Sequence, residues 1–422
     1  MKAPADAPAA PSSYYEAHRK IYPREVQGRY TRLRTLAAWV LLGLYYLLPW
    51  LDLHGRQAVL FDLRARKFYV FALELWPQDF IFLTWLLVLA ALSLFFFTAL
   101  AGRLWCAYAC PQTVWTEAYL WMERITEGNR LARMKLDAAP WSARKLGRKA
   151  SKQALWILFS LWTGFTFVGF FSPIRGLAAE AWQLSMGPWE TFWTLFYGFA
   201  TYGNAGLLRE QVCKYMCPYA RFQSAMIDRD SMVIAYDRAR GDPRGAGKRG
   251  VDPRQQGLGD CIDCTLCVQV CPTGIDIRNG LQNECIGCAA CIDACDQVMD
   301  KIGRPRGLVR YATENGVEQG LSRAEMLRRV RRPRVLIYGS VLLSLMVAFA
   351  AALMLRAPFH VDVVKDRATL ARVDDDGRIE NSYRLHVLNT DGVTHRYTLH
   401  AAGLPGLTVR ATPALPVEAG ER

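Results

Sequence analysis

The sequence CIDCTLCVQVCPTGIDIRNGLQNECIGCAACIDAC, from Cys261 to Cys295, contains two cysteine runs of identical spacing. Each run reads Cys-x-x-Cys-x-x-Cys-x-x-x-Cys; Pro272 follows the first run and Asp296 follows the second. This is the spacing of a ferredoxin with two [4Fe-4S] clusters, in which the fourth cysteine of each run ligates the other cluster. The predicted ligands are Cys261, Cys264, Cys267 and Cys295 for cluster one, and Cys285, Cys288, Cys291 and Cys271 for cluster two.

Closely spaced thiolates on a tight loop can cap three corners of a cubane, and a distant fourth thiolate completes the cage. The alternative is a pair of structural zinc sites with four thiolates each. Zinc modules usually present paired ligands rather than four cysteines in such a run. We therefore predict a ferredoxin-like α+β domain with two [4Fe-4S] clusters over residues 259–304.

The other four cysteines form two short motifs, Cys106-x-x-x-Cys110 and Cys213-x-x-x-Cys217, and a proline follows each directly. If helices continue through these motifs, positions i and i+4 share a face, so each pair presents two sulfurs to one partner. Proline disfavours helix in the residue before it, so each helix is expected to end at the second cysteine.

The surroundings of these motifs favour chemistry over an inert role. Arg103 and Arg209 lie just upstream and Lys214 lies inside the second motif, and nearby cations favour thiolate over thiol. Soft thiolates select Cu(I), zinc or iron-sulfur centres, and Met216 offers a thioether. The candidate catalytic and metal-binding residues are thus Cys106, Cys110, Cys213 and Cys217, with Met216 as a further metal ligand. Inert buried cysteines are the alternative, and disulfides would be transient in a reducing cytoplasm.

Five apolar stretches approach or reach the roughly 20 residues that a helix needs to cross a bilayer. They cover about 35–53, 79–101, 154–172, 188–207 and 335–355. Lys and Arg alternate between rich and poor in the connections, which predicts that the N-terminus, residues 103–152 and residues 209–334 are cytoplasmic. The tail after the fifth stretch is then outside.

The composition excludes several classes of protein. The net charge of +14 comes from basic residues that lie beside the apolar stretches, as they do on the cytoplasmic side of membrane proteins. The charge is therefore explained by membrane topology, and no nucleic-acid partner is predicted. None of the six histidines lies in an apolar stretch, and there is no Cys-x-x-Cys-His, which disfavours haem. P-loop and dinucleotide glycine patterns are also lacking.

The chain is therefore expected to have seven parts. The basic N-terminus at 1–34 lacks the apolar core of a signal peptide. The others are a four-helix membrane domain with the first motif at 35–207, a segment with the second motif and a Gly/Pro-rich linker at 208–258, the ferredoxin domain at 259–304, a basic connector at 305–334, a fifth membrane helix at 335–355, and an outer β domain at 356–422.

The C-terminal part shows the period-two alternation of β-strands at Tyr383, Leu385 and Val387 and again after Tyr397. The turn residues Asn389, Asp391 and Gly392 lie between the two runs. We predict a β-hairpin in a small sandwich. About 67 residues follow the fifth stretch, whereas an immunoglobulin-like sandwich takes roughly 100, so the completeness of this domain is left open.

With these motifs in hand, the chain resembles the cytochrome c oxidase accessory proteins of the CcoG/FixG/RdxA family. The most specific stretches are LWCAYACPQTVWTEAYLWMERITEG (104–128), REQVCKYMCPYARFQSAMID (209–228) and GDCIDCTLCVQVCPTGIDIRNGLQNECIGCAACIDACD (259–296). The resemblance implies a multi-pass protein of the bacterial inner membrane with a periplasmic immunoglobulin-like domain. It also implies an enzyme, a cupric reductase that supplies Cu(I) to the assembly of cbb3-type oxidase.

The expected cofactors and partners follow from this resemblance. They are two [4Fe-4S] clusters, copper as substrate or bound ion, membrane lipid, an electron donor that the sequence does not name, and oxidase assembly factors; a homodimer is left open. Two other functions stay in view. An electron relay of a membrane quinol-oxidising complex would need a stable partner and a quinone site, and a copper chaperone or assembly scaffold would bind copper without turnover.

Overall fold

The computed structural model describes residues 20–53, 55–247, 253–329, 331–357, 359–365, 371–373, 377–389, 394–403, 405–410 and 415–417. Within these ranges the chain divides into two compact units. The first comprises described residues of 1–48, 93–169 and 174–338, and the second comprises those of 49–92, 170–173 and 339–422.

Three helices are long and apolar enough to cross a membrane, and each spans 22 residues: Arg29–Trp50, whose last turn is a 3-10 helix, Phe80–Ala101, and Pro333–Met354. They match the first, second and fifth predicted stretches. Many of their large apolar side chains are exposed, as lipid-facing side chains are. The chain is therefore a membrane protein.

The third and fourth predicted stretches are helical, but among the described helices they do not reach the same apolar content. They correspond to Ala143–Val168 and to Pro188–Thr201, which continues as the π-helix Tyr202–Leu208. The two helices pack closely, because a Cβ at Gly164 would collide with the Thr194 carbonyl on the facing helix. Such small residues let helix backbones approach. Whether this pair crosses the membrane stays a prediction.

The cysteine-rich module is closed by an antiparallel strand pair, Val233–Tyr236 with Val309–Ala312, in which Val233 faces Ala312. Between the strands lie the short helices Arg238–Gly241, Pro253–Gln256, Leu266–Gln269 and Ile277–Asn279 and the longer helix Ala290–Lys301. Its buried core contains Ile234, Tyr236, Ile277, Ile292, Val298, Met299, Leu308 and Val309 together with Cys261 and Cys267. The module thus extends beyond the predicted 259–304 on both sides.

The first membrane helix begins at Arg29, six residues before the predicted start, because the ferredoxin module caps it. The Thr31 amide and hydroxyl donate to Asp293 Oδ2 at 2.7 and 2.8 Å, and the Tyr30 amide donates to Oδ1 at 3.3 Å. A carboxylate at this position satisfies free N–H groups and complements the helix dipole.

The remaining helices of the first unit connect these parts. They are Leu104–Tyr108, Pro111–Glu127, Arg130–Ala138, Ile174–Trp182, the π-helix Val212–Met216, Pro218–Met226, Glu314–Glu318 and Arg323–Arg329.

The second unit contains β-structure that the sequence reading did not anticipate. Val59–Asp62, Lys67–Val70 and Leu73–Leu75 form a three-stranded antiparallel sheet, Asp52–Leu53 pairs with Arg56–Gln57, and the 3-10 helix Pro77–Asp79 follows. These strands have four residues or fewer, too short for a clear alternation.

The predicted C-terminal hairpin is wrong in its pairing. Tyr383–Asn389 pairs antiparallel with the earlier strand Phe359–Lys365, and His395–Tyr397 pairs with Leu415–Val417. Arg372–Val373 pairs with Ile379–Glu380. Asp391 and Gly392 of the predicted turn lie outside the described residues. Local alternation identified strands here but not their partners, which are distant in sequence.

Candidate metal centres

The four predicted ligands of cluster one meet around one cavity. Cys261, Cys264, Cys267 and Cys295 line it together with Ile262, Leu266, Val298, Met299 and Leu308. Asp263 and Thr265, on either side of Cys264, both have left-handed backbone conformations, which bend the loop sharply. All twelve cysteines lie in the part of the chain that the structure describes, and Cys264 alone among them is exposed.

The four predicted ligands of cluster two line a second cavity. Cys271, Cys285, Cys288 and Cys291 border it with Ile275, Ile277 and Ile286, and Cys267 borders both cavities. Gly287 and Ala289 flank Cys288 with the same left-handed geometry that Asp263 and Thr265 give Cys264. The repeated spacing therefore produces a repeated loop.

Burial disfavours the thiolate form of several of these cysteines. It raises the pKa of Cys267 to about 11 and those of Cys285 and Cys295 to about 12. Backbone N–H groups of Gly287 and Val309 partly oppose this effect at Cys285 and Cys295. Such N–H groups can also donate to cluster sulfurs, which is one way in which a protein sets a cluster potential.

The donor set fits [4Fe-4S] clusters better than single ions. Across the described ranges, no three His, Cys, Asp or Glu side chains form a ready site for one metal ion. A cubane takes its thiolates at four separate corners, so cysteines spread around an apolar cavity suit it, whereas a tetrathiolate zinc site needs them closer together.

The helix of the second Cys-x-x-x-Cys-Pro motif ends at its second cysteine, as predicted, whereas the helix of the first motif already ends at Tyr108. In both motifs the proline begins a new helix. Cys106 lies in the helix Leu104–Tyr108 and Cys213 in the π-helix Val212–Met216. Cys110 and Cys217 are extended N-cap residues of the helices that start at the next residue. Proline suits this first position because its missing N–H would have no helical partner.

The structure brings the four motif cysteines together. Burial and, after it, repulsion from the other three motif cysteines together raise the pKa of Cys106 to about 12. The pKa of Cys213 rises to about 11 for the same two reasons, and burial also raises that of Cys110. Sequence spacing alone left open which pairs would meet.

The arginines near the motifs lower the pKa of the motif cysteines less than the sequence predicted. Arg103 lowers the pKa of Cys106 and of Cys213 but does not overcome burial. Arg209 instead directs its guanidinium to Glu123 Oε2 at 3.0 Å. Met216 is 59% exposed, so the predicted thioether ligand is not buried with the thiols.

Arg103 ties the first motif to the loop of cluster two. Its Nη1 donates to the carbonyl oxygens of Asn283 and Cys285, the second at 3.0 Å. Its Nη2 donates to Ser224 Oγ at 2.9 Å, on the helix that follows the second motif. One buried guanidinium therefore joins both motifs and the ferredoxin module.

A tyrosine pair makes a second connection between the same parts. Tyr108 lies between Cys106 and Cys110, and its hydroxyl is close enough to that of Tyr311 for each to shift the pKa of the other. The Tyr311 hydroxyl donates to the Gly287 carbonyl at 2.7 Å. Neither tyrosine was predicted from the sequence, although the position of Tyr108 between two candidate ligand cysteines could have indicated it.

A buried ion network lies on the other side of the second motif. Glu123 is fully buried and pairs with Arg133 at 3.1 Å and with Arg209 at 3.0 Å. Glu127, also fully buried, pairs with Lys149 and Lys152 at 3.0 Å each. The residues are far apart in sequence, so no local pattern predicted this network.

The comparisons with known proteins agree with this arrangement. The chain is 40% identical over 427 residues to "Nitrogen fixation protein FixG" of Rhizobium meliloti, which covers 94% of this chain and 82% of that protein. It is 41% identical to "Protein RdxB" and 40% identical to "Protein RdxA" of Cereibacter sphaeroides, over 92% and 93% of this chain and 83% and 84% of those proteins. The chain belongs to the FixG/RdxA family.

Domain families divide this FixG/RdxA chain in the same way. Residues 208–314 match a 4Fe-4S dicluster domain and residues 82–149 match a 4Fe-4S binding domain. Residues 349–422 match the IG-like fold at the C-terminus of FixG. No solved structure matches the chain. The match over residues 82–149 includes Cys106 and Cys110, which supports an iron-sulfur or redox role for the first motif as well.

Proposed function

We propose that this membrane iron-sulfur protein is a cupric reductase, which reduces Cu(II) to Cu(I) at the four motif cysteines for the assembly of cbb3-type oxidase. The observation that carries the proposal is the position of these thiols. Cys106, Cys110, Cys213 and Cys217 are close to one another, and Arg103 joins the first motif directly to the carbonyl of Cys285. An electron acceptor held by the thiols would thus lie next to the loop of cluster two.

The proposed reaction needs little from the protein beyond binding and positioning. [4Fe-4S] clusters held by the eight ferredoxin cysteines supply one-electron transfer when bound. The motif thiolates bind Cu(I) more tightly than Cu(II), because soft sulfur ligands prefer the softer ion. Binding therefore favours the reduced product and releases protons from the thiols. Two thiolates are enough to bind Cu(I). The proposal therefore agrees with the observation that no three ligand side chains form a ready site for one metal ion in the described residues.

The burial of the cysteines suggests the direction of electron flow. Cys264 beside cluster one is exposed, whereas Cys288 of the cluster-two set is buried and lies close enough to Tyr108 of the first motif to raise its pKa. We propose that a cytoplasmic donor delivers electrons at the Cys264 side and that they leave toward the motif cysteines. The cytoplasmic side of the module, the periplasmic side of the C-terminal domain and the inner membrane remain parts of this proposal.

The test uses the full chain, purified without oxygen and loaded with iron and sulfide. After reduction, electron paramagnetic resonance records the clusters; Cu(II) is then added and Cu(I) is followed with a colorimetric chelator. The comparison is a variant with Cys106, Cys110, Cys213 and Cys217 all changed to Ser. With a chemical reductant in excess to re-reduce the clusters, and its direct reaction with Cu(II) subtracted, we expect Cu(I) to form many times per protein in the wild type. We expect this turnover to be lost in the variant with both cluster signals kept.

Other outcomes identify the other functions. Clusters that are reduced but leave Cu(II) untouched would rule out the reductase and favour an electron relay, for which a quinone is the next acceptor to add. Cu(I) that forms once per protein, without turnover, would indicate a copper chaperone or scaffold.

A further inference from the structure

A fully buried glutamine touches the motif cysteines and has no part in the ferredoxin module. Gln223 has no exposed surface and lies on the helix Pro218–Met226, which begins after the second motif. Its Oε1 accepts a hydrogen bond from Cys106 Sγ at 3.3 Å. Cys106 belongs to the first motif, so this side chain links the two motifs at a sulfur atom.

The amide nitrogen at the other end of the Gln223 side chain lacks such a hydrogen bond. In the part of the chain that the structure describes, Gln223 Nε2 is buried and makes no hydrogen bond of normal geometry. The Tyr219 hydroxyl, which lies 3.0 Å from Thr98 Oγ1, is close enough to be influenced by the carboxamide. A buried N–H donor without a good acceptor is costly, and most such groups in native proteins have a reason.

A metal-bound sulfur at Cys106 would supply the missing acceptor. The thiol of metal-free Cys106 is a donor, and Oε1 accepts from it. Once Cys106 binds a metal, its sulfur has lost the proton and can only accept. A half-turn of the amide about its terminal torsion then exchanges Oε1 for Nε2 in nearly the same space, since the two ends of a carboxamide have similar size.

We propose that Gln223 is a positioning residue of the four-cysteine site, which holds Cys106 in the metal-free protein and donates an N–H to its sulfur when Cys106 carries Cu(I). The inference rests on the proposed function for the identity of the metal. The placement of Cys106 by Gln223 does not depend on copper. Hydrogen bonds to ligand atoms of this kind typically change metal affinity by about 10-fold to 100-fold.

The experiment compares Gln223→Leu and Gln223→Glu in the full chain with its clusters loaded. Leu removes both the acceptor and the donor, whereas Glu keeps an acceptor for the Cys106 thiol but lacks the N–H. The matched control is Gln153→Leu, in the same unit, where the carboxamide accepts from the Tyr202 hydroxyl at 2.9 Å. Cluster signals and the unfolding temperature show whether each variant is folded.

Two measurements separate positioning from simple packing. The first is the alkylation rate of each motif cysteine in copper-free protein, resolved by mass spectrometry. The second is Cu(I) affinity, measured by competition with a chelator. We expect Gln223→Leu to speed alkylation of Cys106 several-fold more than that of Cys110, Cys213 or Cys217, and to lower Cu(I) affinity by about 10-fold to 100-fold. We expect Gln223→Glu to keep the alkylation pattern but lose affinity.

The inference is overturned if alkylation rises equally at all four cysteines, since that would indicate a loss of packing alone. It is also overturned if both variants bind Cu(I) as the wild type does. Should the wild type itself fail to bind Cu(I), the proposed function fails and the copper part of the inference fails with it. The alkylation pattern, which needs no copper, would still decide whether Gln223 positions Cys106.

Discussion

The two Cys-x-x-x-Cys-Pro motifs have the same spacing, yet their upstream arginines contact different parts of the protein. Arg103 donates to carbonyl oxygens of the ferredoxin loop at Asn283 and Cys285. Arg209 has a left-handed backbone conformation and donates to the buried carboxylate of Glu123. One motif is therefore joined to the module that would supply electrons, and the other to the helical body.

This difference suggests a division of work within one site. The second motif is held by charge pairs among helices, so its arginine should matter mainly for stability. The first motif is held against the cluster-two loop, so its arginine should matter mainly for electron transfer. Substitutions on the two sides can test this division.

The largest effect is expected from Glu123→Gln, on the side of the second motif. The change leaves Arg133 and Arg209 buried without their shared counter-charge, and breaking a buried pair in this way costs about 3–5 kcal/mol. We expect a marked fall in the unfolding temperature of the purified protein in detergent. The control is Glu314→Gln, whose carboxylate lies 3.6 Å from Arg229 with both side chains exposed, because exposed pairs contribute only about 0–1 kcal/mol.

The same carboxylate predicts how stability depends on pH. Burial alone would raise the pKa of Glu123, but Arg209, Arg133 and Lys152 together lower it below its ordinary value of 4.5. A carboxyl with a lowered pKa in the folded state stabilises the protein above its unfolded pKa, and the contribution is lost as pH falls through the folded pKa. The difference between wild type and Glu123→Gln should therefore be full at neutral pH and shrink below about pH 4. A difference that grows on acidification would contradict the ion-pair explanation.

The next effect is expected from Arg103→Ala, on the side of the first motif. The substitution removes hydrogen bonds to Cys285 O and Ser224 Oγ, so the cluster-two loop is no longer held to the motif. Misplacement by about 1 Å can cost about 100-fold in a rate that depends on position. We expect oxidation of the reduced protein by Cu(II), followed by stopped-flow absorbance, to slow by about 10-fold to 100-fold.

Arg209→Ala serves as the comparison for Arg103→Ala. It should lower the unfolding temperature, because Glu123 loses one of its partners at 3.0 Å, while oxidation by Cu(II) stays within a few-fold of wild type. Equal slowing in both variants would mean that the two arginines share one role, and the division between the motifs would then be wrong.

The sequence predicted the two-cluster iron-sulfur domain, which the family match over residues 208–314 confirms, because cluster chemistry itself dictates ligand spacing. The assignment of single cysteines to the two clusters stays a prediction. Both sets of four cysteines surround their own cavities. The apolar helices Phe80–Ala101 and Pro333–Met354 were also clear from composition. These features depend on local sequence alone.

Features that depend on contacts between residues distant in sequence could not be predicted from local sequence patterns. Gln223 meets Cys106 across 117 positions, and Arg209 meets Glu123 across 86. Tyr383–Asn389 pairs with a strand upstream rather than with its neighbour downstream. A single sequence contains the local periodicity of such elements but no record of their partners.

The last comparison concerns Gly287, where the cluster-two loop passes the backbone of the first motif. Gly287 has a φ of 73°, and a Cβ there would lie 3.2 Å from the Arg103 carbonyl oxygen. Gly303, in the same module, has a φ of 69° with nothing within 4 Å of its Cβ position. Both Gly→Ala variants pay the left-handed backbone penalty of about 1–2 kcal/mol.

The difference between the two variants therefore isolates the contact with Arg103. Fitting the extra methyl group at Gly287 requires a shift of a few tenths of an ångström between loop and motif, and overpacking of this kind costs about 1–3 kcal/mol. We expect Gly287→Ala to unfold at a lower temperature than Gly303→Ala and to slow oxidation by Cu(II), whereas Gly303→Ala should leave that rate unchanged. If the two variants behave alike in both measurements, the approach of Gly287 to Arg103 is not a constraint. Coupling between loop and motif would then have to depend on the side chains of Arg103, Tyr108 and Tyr311 alone.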